Sequence, residues 1–298
     1  NLMTTEGYLQ AVNYNFVSNE FETSLLGEKF DEKHTGLVGV QESIKISNPI
    51  SEDLNVMRRR IFTTLFKNLV HNFRHGSNFG RLFETGHVFY KQNGEYLQNL
   101  HLGLCAWGQK AGLWQKDNDR PAVYDIKASI ENLLLQLNIS QWQWREIPEV
   151  PEFLHPYQSS ALFLEGRIVG FIGSLHPSLL EEYKIRATAA MGELDVAKLM
   201  RGQPRIPKIQ TISKFPAVTR DFSFVLSKEQ KVYDILTKIK KVGGKLLQEV
   251  EVFDEFQGGQ LVEGERSVSF RLTYQDMDGT LDEARLSQLQ NDILAKVK

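Results

Sequence analysis

Two stretches of two-residue alternation near the end of the chain constrain its fold more than anything else in it. Phe222, Phe224 and Leu226 form one, and Val268, Phe270, Leu272 and Tyr274 form the other. Successive side chains of a strand point to opposite faces, so each stretch predicts a strand with one apolar and one polar face. Residues 232–242 between them read as a helix ending at Gly243-Gly244, and residues 281–297 read as a second helix. With a further strand leading through Val250 and Val252, the order is β-α-β-β-α. A ferredoxin-like (split β-α-β) fold closes with one more strand. The chain stops at Lys298 while still helical, so that strand is expected to be lost or absent from this piece.

Upstream, Gly202-Gln203-Pro204-Arg205-Ile206-Pro207 carries two prolines and little apolar content, and reads as a linker. The predicted division is a larger domain at 1–203, a linker at 204–212 and a terminal domain at 213–298. The strongest helical pattern in the larger domain covers residues 51–75. Ser51 suits the N-cap, Glu52 and Asp53 the first turn, and Gly76 the stop. Leu54, Met57, Ile61, Leu65, Leu69 and Phe73 fall at helical spacing, and Phe62, Phe66 and Val70 widen the stripe. So wide a stripe predicts burial on more than one side, in a core or against another subunit. Strand-like runs follow at 81–89, 100–107, 161–164, 168–175 and 191–194, with helices at 123–137 and 177–183. The predicted class is α+β with a largely antiparallel sheet.

Composition excludes little: 41% hydrophobic and 24% charged residues are ordinary for a globular protein. Cys105 is the single cysteine, so no internal disulfide is available and a reducing cytoplasm is the expected setting. No apolar run approaches the roughly 18 residues of a membrane helix, and no basic-then-apolar leader opens the chain. A membrane partner is therefore not expected. The chain opens at Asn1 rather than methionine, which suggests an excised fragment. Net charge is −2 overall, and from 213 to 298 there are 13 Lys and Arg against 14 Asp and Glu, giving −1. A protein holding RNA mainly through phosphates is more basic than this. Only segregation of charge favours RNA: Lys231, Lys238, Lys240, Lys241 and Lys245 cluster on one helix and its exit, with Asp234 the only acid among them. The same cluster also reads as a solvated helix face.

Enzyme chemistry finds weak footing. His71 and His75 stand four apart on a helix, a spacing that can hold zinc, but no Glu or third ligand accompanies them. His155-Pro156 and His176-Pro177 read as element boundaries. A nucleophile elbow, a phosphate loop and a dinucleotide glycine set are all missing. Neither catalytic nor metal-ligating residues are predicted.

Larger units than single motifs do resemble something known. Phe215-Pro216-Ala217-Val218-Thr219-Arg220-Asp221, Phe253-Asp254-Glu255-Phe256-Gln257-Gly258, the run from Gly264 to Tyr274 and Gly279-Thr280-Leu281-Asp282 occur in order. Together they resemble the ferredoxin-fold anticodon-binding domain that ends the β subunit of bacterial phenylalanyl-tRNA synthetase. The larger domain resembles the catalytic-like domain of that subunit. The resemblance runs through Gly7-Tyr8, Asn48-Pro49-Ile50-Ser51, Arg81-Leu82-Phe83-Glu84-Thr85-Gly86, Tyr124-Asp125-Ile126-Lys127, Leu154-His155-Pro156 and the run from Gly170 to Pro177. Arg58-Arg59-Arg60 departs from the family's usual single arginine.

The resemblance implies a class-II-synthetase-like domain without catalysis, followed by an anticodon-binding domain. It implies a partner, the catalytic α subunit, in an (αβ)2 heterotetramer, with Leu54, Met57, Ile61, Leu65 and Phe66 at the interface. ATP and magnesium belong to the parent holoenzyme; this piece is expected to hold neither and to be inactive alone. Arg81-Leu82-Phe83-Glu84 only faintly echoes a class II arginine element, and none of the glycine pairs is followed by the arginine such a site needs.

Matched by motif, the positions that read the tRNA(Phe) anticodon are Ser223, Asp254, Phe256, Ser267 and Ser269, with Lys231, Lys238 and Lys241 as phosphate contacts. Strand parity agrees for the serines: if Phe222, Phe224, Val268 and Phe270 face the helices, Ser223, Ser267 and Ser269 face outward. Alternation from Val250 and Val252 would turn Asp254 inward, so its outward placement requires a bulge near Phe253. The rival expectations are an architectural subunit that binds no RNA and a self-sufficient ligase.

Overall fold

The computed structural model describes residues 2–27, 35–37, 43–109, 121–139, 141–201, 213–259 and 261–297. The chain divides into two compact units, Asn1–Pro207 and Lys208–Lys298. The expected linker at 204–212 lies outside the described residues.

The larger unit is α+β around one seven-stranded sheet. Its members are β1 (Leu9–Gln10), β4 (Gly80–Gln92), β5 (Glu95–Trp107), β6 (Trp142–Arg145), β7 (Leu154–Leu164), β8 (Arg167–Leu175) and β9 (Ala189–Asp195). The order is β1-β4-β5-β9-β8-β7-β6, antiparallel except where β1 runs parallel to β4. A separate ladder pairs β2 (Phe16–Val17) with β3 (Val56–Met57). The helices are α1 (Leu2–Thr5), α2 (Asn19–Leu26), α3 (Ile61–Arg74), α4 (Val123–Gln136), α5 (Pro177–Glu182) and α6 (Val196–Leu199). Apolar side chains leave both faces of the sheet. Val88, Cys105, Phe171 and Met191 pack with α3 on one, and Leu102, Leu104, Ile172 and Ala190 pack with α4 on the other. Covered on both faces and both edges, β9 is buried at all of its residues. That burial is why its sequence is apolar and small rather than alternating.

The helix expected over 51–75 is shorter: α3 begins at Ile61. Residues 52–54 form a single 3₁₀ turn, and Ser51 makes no side-chain cap. Val56 and Met57 are a strand, and the three arginines after them are kept out of the helix by tertiary bonds, Arg60 being extended at φ −145° and ψ 142°. Arg58 N–H donates to the Asn15 carbonyl, Phe89 N–H donates to the Arg58 carbonyl, and Arg59 N–H donates to Glu22 Oε1. Each arginine is buried beside an acid. Arg58 pairs with Glu84 at 2.6 Å and Arg59 with Glu22 at 2.8 Å, while Arg60 acts electrostatically on Glu193. The far end is as expected, with Gly76 in the left-handed region at φ +89°.

The interface expectation is corrected by the same burial. Ile61, Leu65 and Phe66 have no exposed surface and pack within the chain's own core, so they offer nothing to a partner. Leu54 and Met57 are only half-buried, and neither lies on the helix. The wide stripe is the width of a helix sunk into a core.

The terminal unit follows the expected order: β10 (Val218–Ser227), α7 (Val232–Gly243), β11 (Leu247–Phe256), β12 (Glu265–Tyr274) and α8 (Glu283–Val297). The three strands form an antiparallel sheet in the order β10-β12-β11. Phe224, Leu226, Val268, Phe270, Leu272 and Tyr274 meet Ile235 and Ile239 of α7 and Leu286, Ile293 and Val297 of α8. Both helices thus cover one face of the sheet, and the other stays open.

Candidate nucleic-acid interface

Pairing register decides which outward side chains meet. Across the open face, Ser223 of β10 stands opposite Ser269 of β12, and Ser269 stands opposite Asp254 of β11. One row along, Val225 stands opposite Ser267, and Ser267 opposite Phe256. All five expected site residues therefore lie in two adjacent cross-strand rows. The register shift between Val252 and Asp254 makes this possible: the extra residue in β11 turns Asp254 onto the face of the serines.

Within the first row the Ser223 and Ser269 hydroxyls are 2.9 Å apart, so one donates to the other. The Asp254 side chain at the end of the row is exposed. An ionised carboxylate accepts hydrogen bonds only, which suits the paired N–H groups on the Watson–Crick edge of guanine. In the second row Phe256 is 53% exposed, an unusual placement for a phenylalanine, beside Val225 at 58%. An exposed ring over a polar sheet face is a stacking surface for an unpaired base.

A third outward row, none of whose residues was among the expected site positions, holds Asp221, Arg271 and Glu251. Arg271 donates from Nε and Nη2 to the two Asp221 oxygens at 2.9 and 2.8 Å. Its guanidinium carbon lies 4.9 Å from the centroid of the Phe253 ring. These hydrogen bonds and the charge of Arg271 hold the Asp221 carboxyl below its usual range. Strand parity could have flagged Arg271 and Asp221 as outward. Phe253 could not have been found so, because the bulge breaks parity at its position.

The expected phosphate contacts are not brought to this face. Lys238 and Lys241 lie on α7 and Lys231 immediately precedes it, and α7 packs against the opposite side of the sheet.

In the larger unit, the residues that echoed a nucleotide site are tied to other partners. Arg81 pairs with Asp125 at 3.1 Å near the rings of Tyr8 and Phe79, and Glu84 is buried against Arg58. These residues do not fit ATP and magnesium. His71 and His75 are exposed and stack their rings 4.2 Å apart. Among the described residues no group of three or more His, Cys, Asp or Glu could hold a metal ion, and no helix is long and apolar enough to cross a membrane. His176 caps α5, accepting at Nδ1 from the Ser178 N–H.

A three-stranded sheet with helices on one face and this polar row on the other fits the class matched by residues 213–298, the ferredoxin-fold anticodon binding domain. Residues 1–196 match the phenylalanyl tRNA synthetase beta chain CLM domain, and the chain belongs to the phenylalanyl-tRNA synthetase β chain family. The phenylalanine–tRNA ligase beta subunit of Bdellovibrio bacteriovorus is 45% identical over 301 residues, covering 100% of this chain and 37% of its own length. That of Coxiella burnetii is 31% identical over 299 residues, covering 100% of this chain and 36% of its own. That of Thermotoga maritima is 30% identical, covering 87% of this chain and 32% of its own. The chain thus spans about a third of the length of these relatives. A solved pyrrolysyl tRNA synthetase from Desulfitobacterium hafniense aligns over 67% of this chain and 64% of its own, with 13% identity and a TM-score of 0.47. That likeness is too slight to decide anything.

Proposed function

We propose that this chain is part of a phenylalanine–tRNA ligase β subunit and that its terminal domain binds the tRNA(Phe) anticodon on the open sheet face. In this reading Asp254 accepts from a guanine edge, Phe256 stacks on an unpaired base, and Ser223, Ser267 and Ser269 let the bases approach closely. The larger domain supports a catalytic α subunit in an (αβ)2 heterotetramer in the cytoplasm. The α subunit, with ATP and magnesium, activates phenylalanine and charges the tRNA, and this chain alone does neither. The observation that carries the reading is the placement of Ser223, Ser269 and Asp254 in one cross-strand row beside Ser267 and Phe256.

The test is fluorescence anisotropy of the 298-residue chain with an anticodon stem-loop that has guanine first in the anticodon. The double variant Asp254→Ala, Phe256→Ala is expected to weaken binding on the order of ten- to a hundredfold, the worth of one stacked base and a base-edge contact. A second reading, an architectural subunit without RNA contact, draws on the terminal domain's net charge of −1. Unchanged affinity in the double variant would favour it. Co-expression with an α subunit, followed by the mass of what co-purifies, tests the partner.

A further inference from the structure

We propose that Arg271, fixed by Asp221 and backed by Phe253, is a second base-stacking subsite that takes the nucleotide next to the one read by Asp254. The proposal rests on the anticodon-binding reading of the open face. It starts from an arrangement that stability does not explain. Asp221 and Arg271 are 48% and 47% exposed, and Phe253 is 46% exposed. Exposed ion pairs of this kind contribute little to folding. Yet the guanidinium is fixed on two sides, by a two-pronged bond to Asp221 and by the Phe253 ring 4.9 Å from its centre.

A planar cation held in this way is pre-organised for stacking, because the cost of ordering a long side chain has already been met. Arginine planes and aromatic rings are the two surfaces on which proteins stack splayed single-stranded bases. Position adds to the case. Residues 271 and 269 are neighbours on one face of β12, two residues apart and hence about 7 Å along the strand. An extended single strand crossing the sheet would present its next base at a comparable step. The three outward rows then form one track, with Phe256, the Asp254–serine row and Arg271 in succession. Asp221 plays a positioning part: it holds the fork and leaves the plane of the guanidinium for the base.

The experiment measures binding of the anticodon stem-loop to the 298-residue chain and to Arg271→Ala, Arg271→Lys, Phe253→Ala and Asp254→Ala. The stem-loop is used intact and with single abasic positions through the loop. Arg271→Ala is expected to weaken binding about tenfold, within the range of one lost base stack. Arg271→Lys should weaken it nearly as much, since an ammonium keeps the charge but has no plane. An abasic site beside the base read by Asp254 should cost the parent chain a similar factor and cost Arg271→Ala nothing further. Wild-type affinity in Arg271→Lys would overturn the proposal in favour of a phosphate contact. Wild-type affinity in Arg271→Ala, with Asp254→Ala weakened, would overturn it while leaving the anticodon reading intact. If Asp254→Ala also binds as the parent does, the anticodon reading itself has failed and the subsite falls with it.

Discussion

Glu193, in the middle of β9, has no exposed surface and is surrounded by donors. His101 Nδ1 lies 2.6 Å from its Oε1, and the Phe62 N–H donates to its Oε2 at 2.9 Å. Burial by itself would raise its pKa, but the His101 bond, the charges of His101 and Arg60, and the Phe62 N–H outweigh that and hold it below the usual carboxylate value. A carboxyl with a depressed folded pKa contributes stability above its unfolded value, about 4.3, and loses it as pH falls through the folded one. Glu193→Gln is expected to cost about 3 kcal/mol at neutral pH, because the buried Arg60 loses its counter-charge and the bonds from His101 and Phe62 lose a charged acceptor. Its urea stability should also fall less steeply than the parent's below about pH 4. Denaturation midpoints at several pH values check both. Nothing in the one-dimensional pattern pairs His101 with Glu193, which are 92 positions apart.

At the scale of elements, the seat of α3 on the sheet is set by a glycine. A Cβ at Gly103 of β5 would lie 2.4 Å from Ile61 Cγ2 and 3.0 Å from Leu65 Cδ1. The helix cannot retreat, since Phe62 and Phe66 are packed against Phe153 and Tyr183 with ring centroids 4.3 and 4.9 Å apart. Gly103→Ala should therefore cost about 1–3 kcal/mol as overpacking. Gly279→Ala, into open space, should change stability by less than about 0.5 kcal/mol. Chemical denaturation of the two variants separates crowding from any general effect of removing a glycine. Sequence periodicity located α3 but set its start ten residues too early, from 51 rather than 61. Leu54 and Met57 continue the apolar spacing by coincidence, while the bonds that keep residues 56–60 out of the helix come from β2, Asn15, Glu22 and β4. The bulge in β11 was legible, because strict alternation would put Asp254 on the inward face with Val250 and Val252, and only an extra residue between Val252 and Asp254 turns it toward the serines.

At the scale of the molecule, charge makes a prediction about recognition. The terminal domain carries net −1, and its lysine-bearing helix lies across the sheet from the open face. Anticodon binding on that face, as proposed, would draw on stacking and base-edge contacts rather than on phosphate neutralisation. The slope of log affinity against log salt should be shallow, about −1 to −2, matching one to three phosphates on a single strand. A stem-loop titration across salt concentrations measures it, and a slope several times steeper would locate the contacts on the lysine face instead.

Alternation, helical spacing and turn residues determined the elements of the terminal domain, its open face and the outward turn of Ser223, Ser267 and Ser269, whereas Asp254 and Phe256 were singled out by the family resemblance. These features are local, and backbone geometry converts them directly into direction. Only the tertiary structure decided the destination of the wide stripe on α3. A side chain facing a partner and one facing its own core are equally apolar, so the pattern could not separate them, whereas the burial of Ile61, Leu65 and Phe66 does. It likewise decided that Arg58, Arg59 and Arg60 lie inside the fold, since a buried arginine is told from a solvated one by the acid that meets it. It also brought Phe253, Asp221 and Arg271 together from three strands, a meeting that depends on pairing register and has no counterpart along the chain.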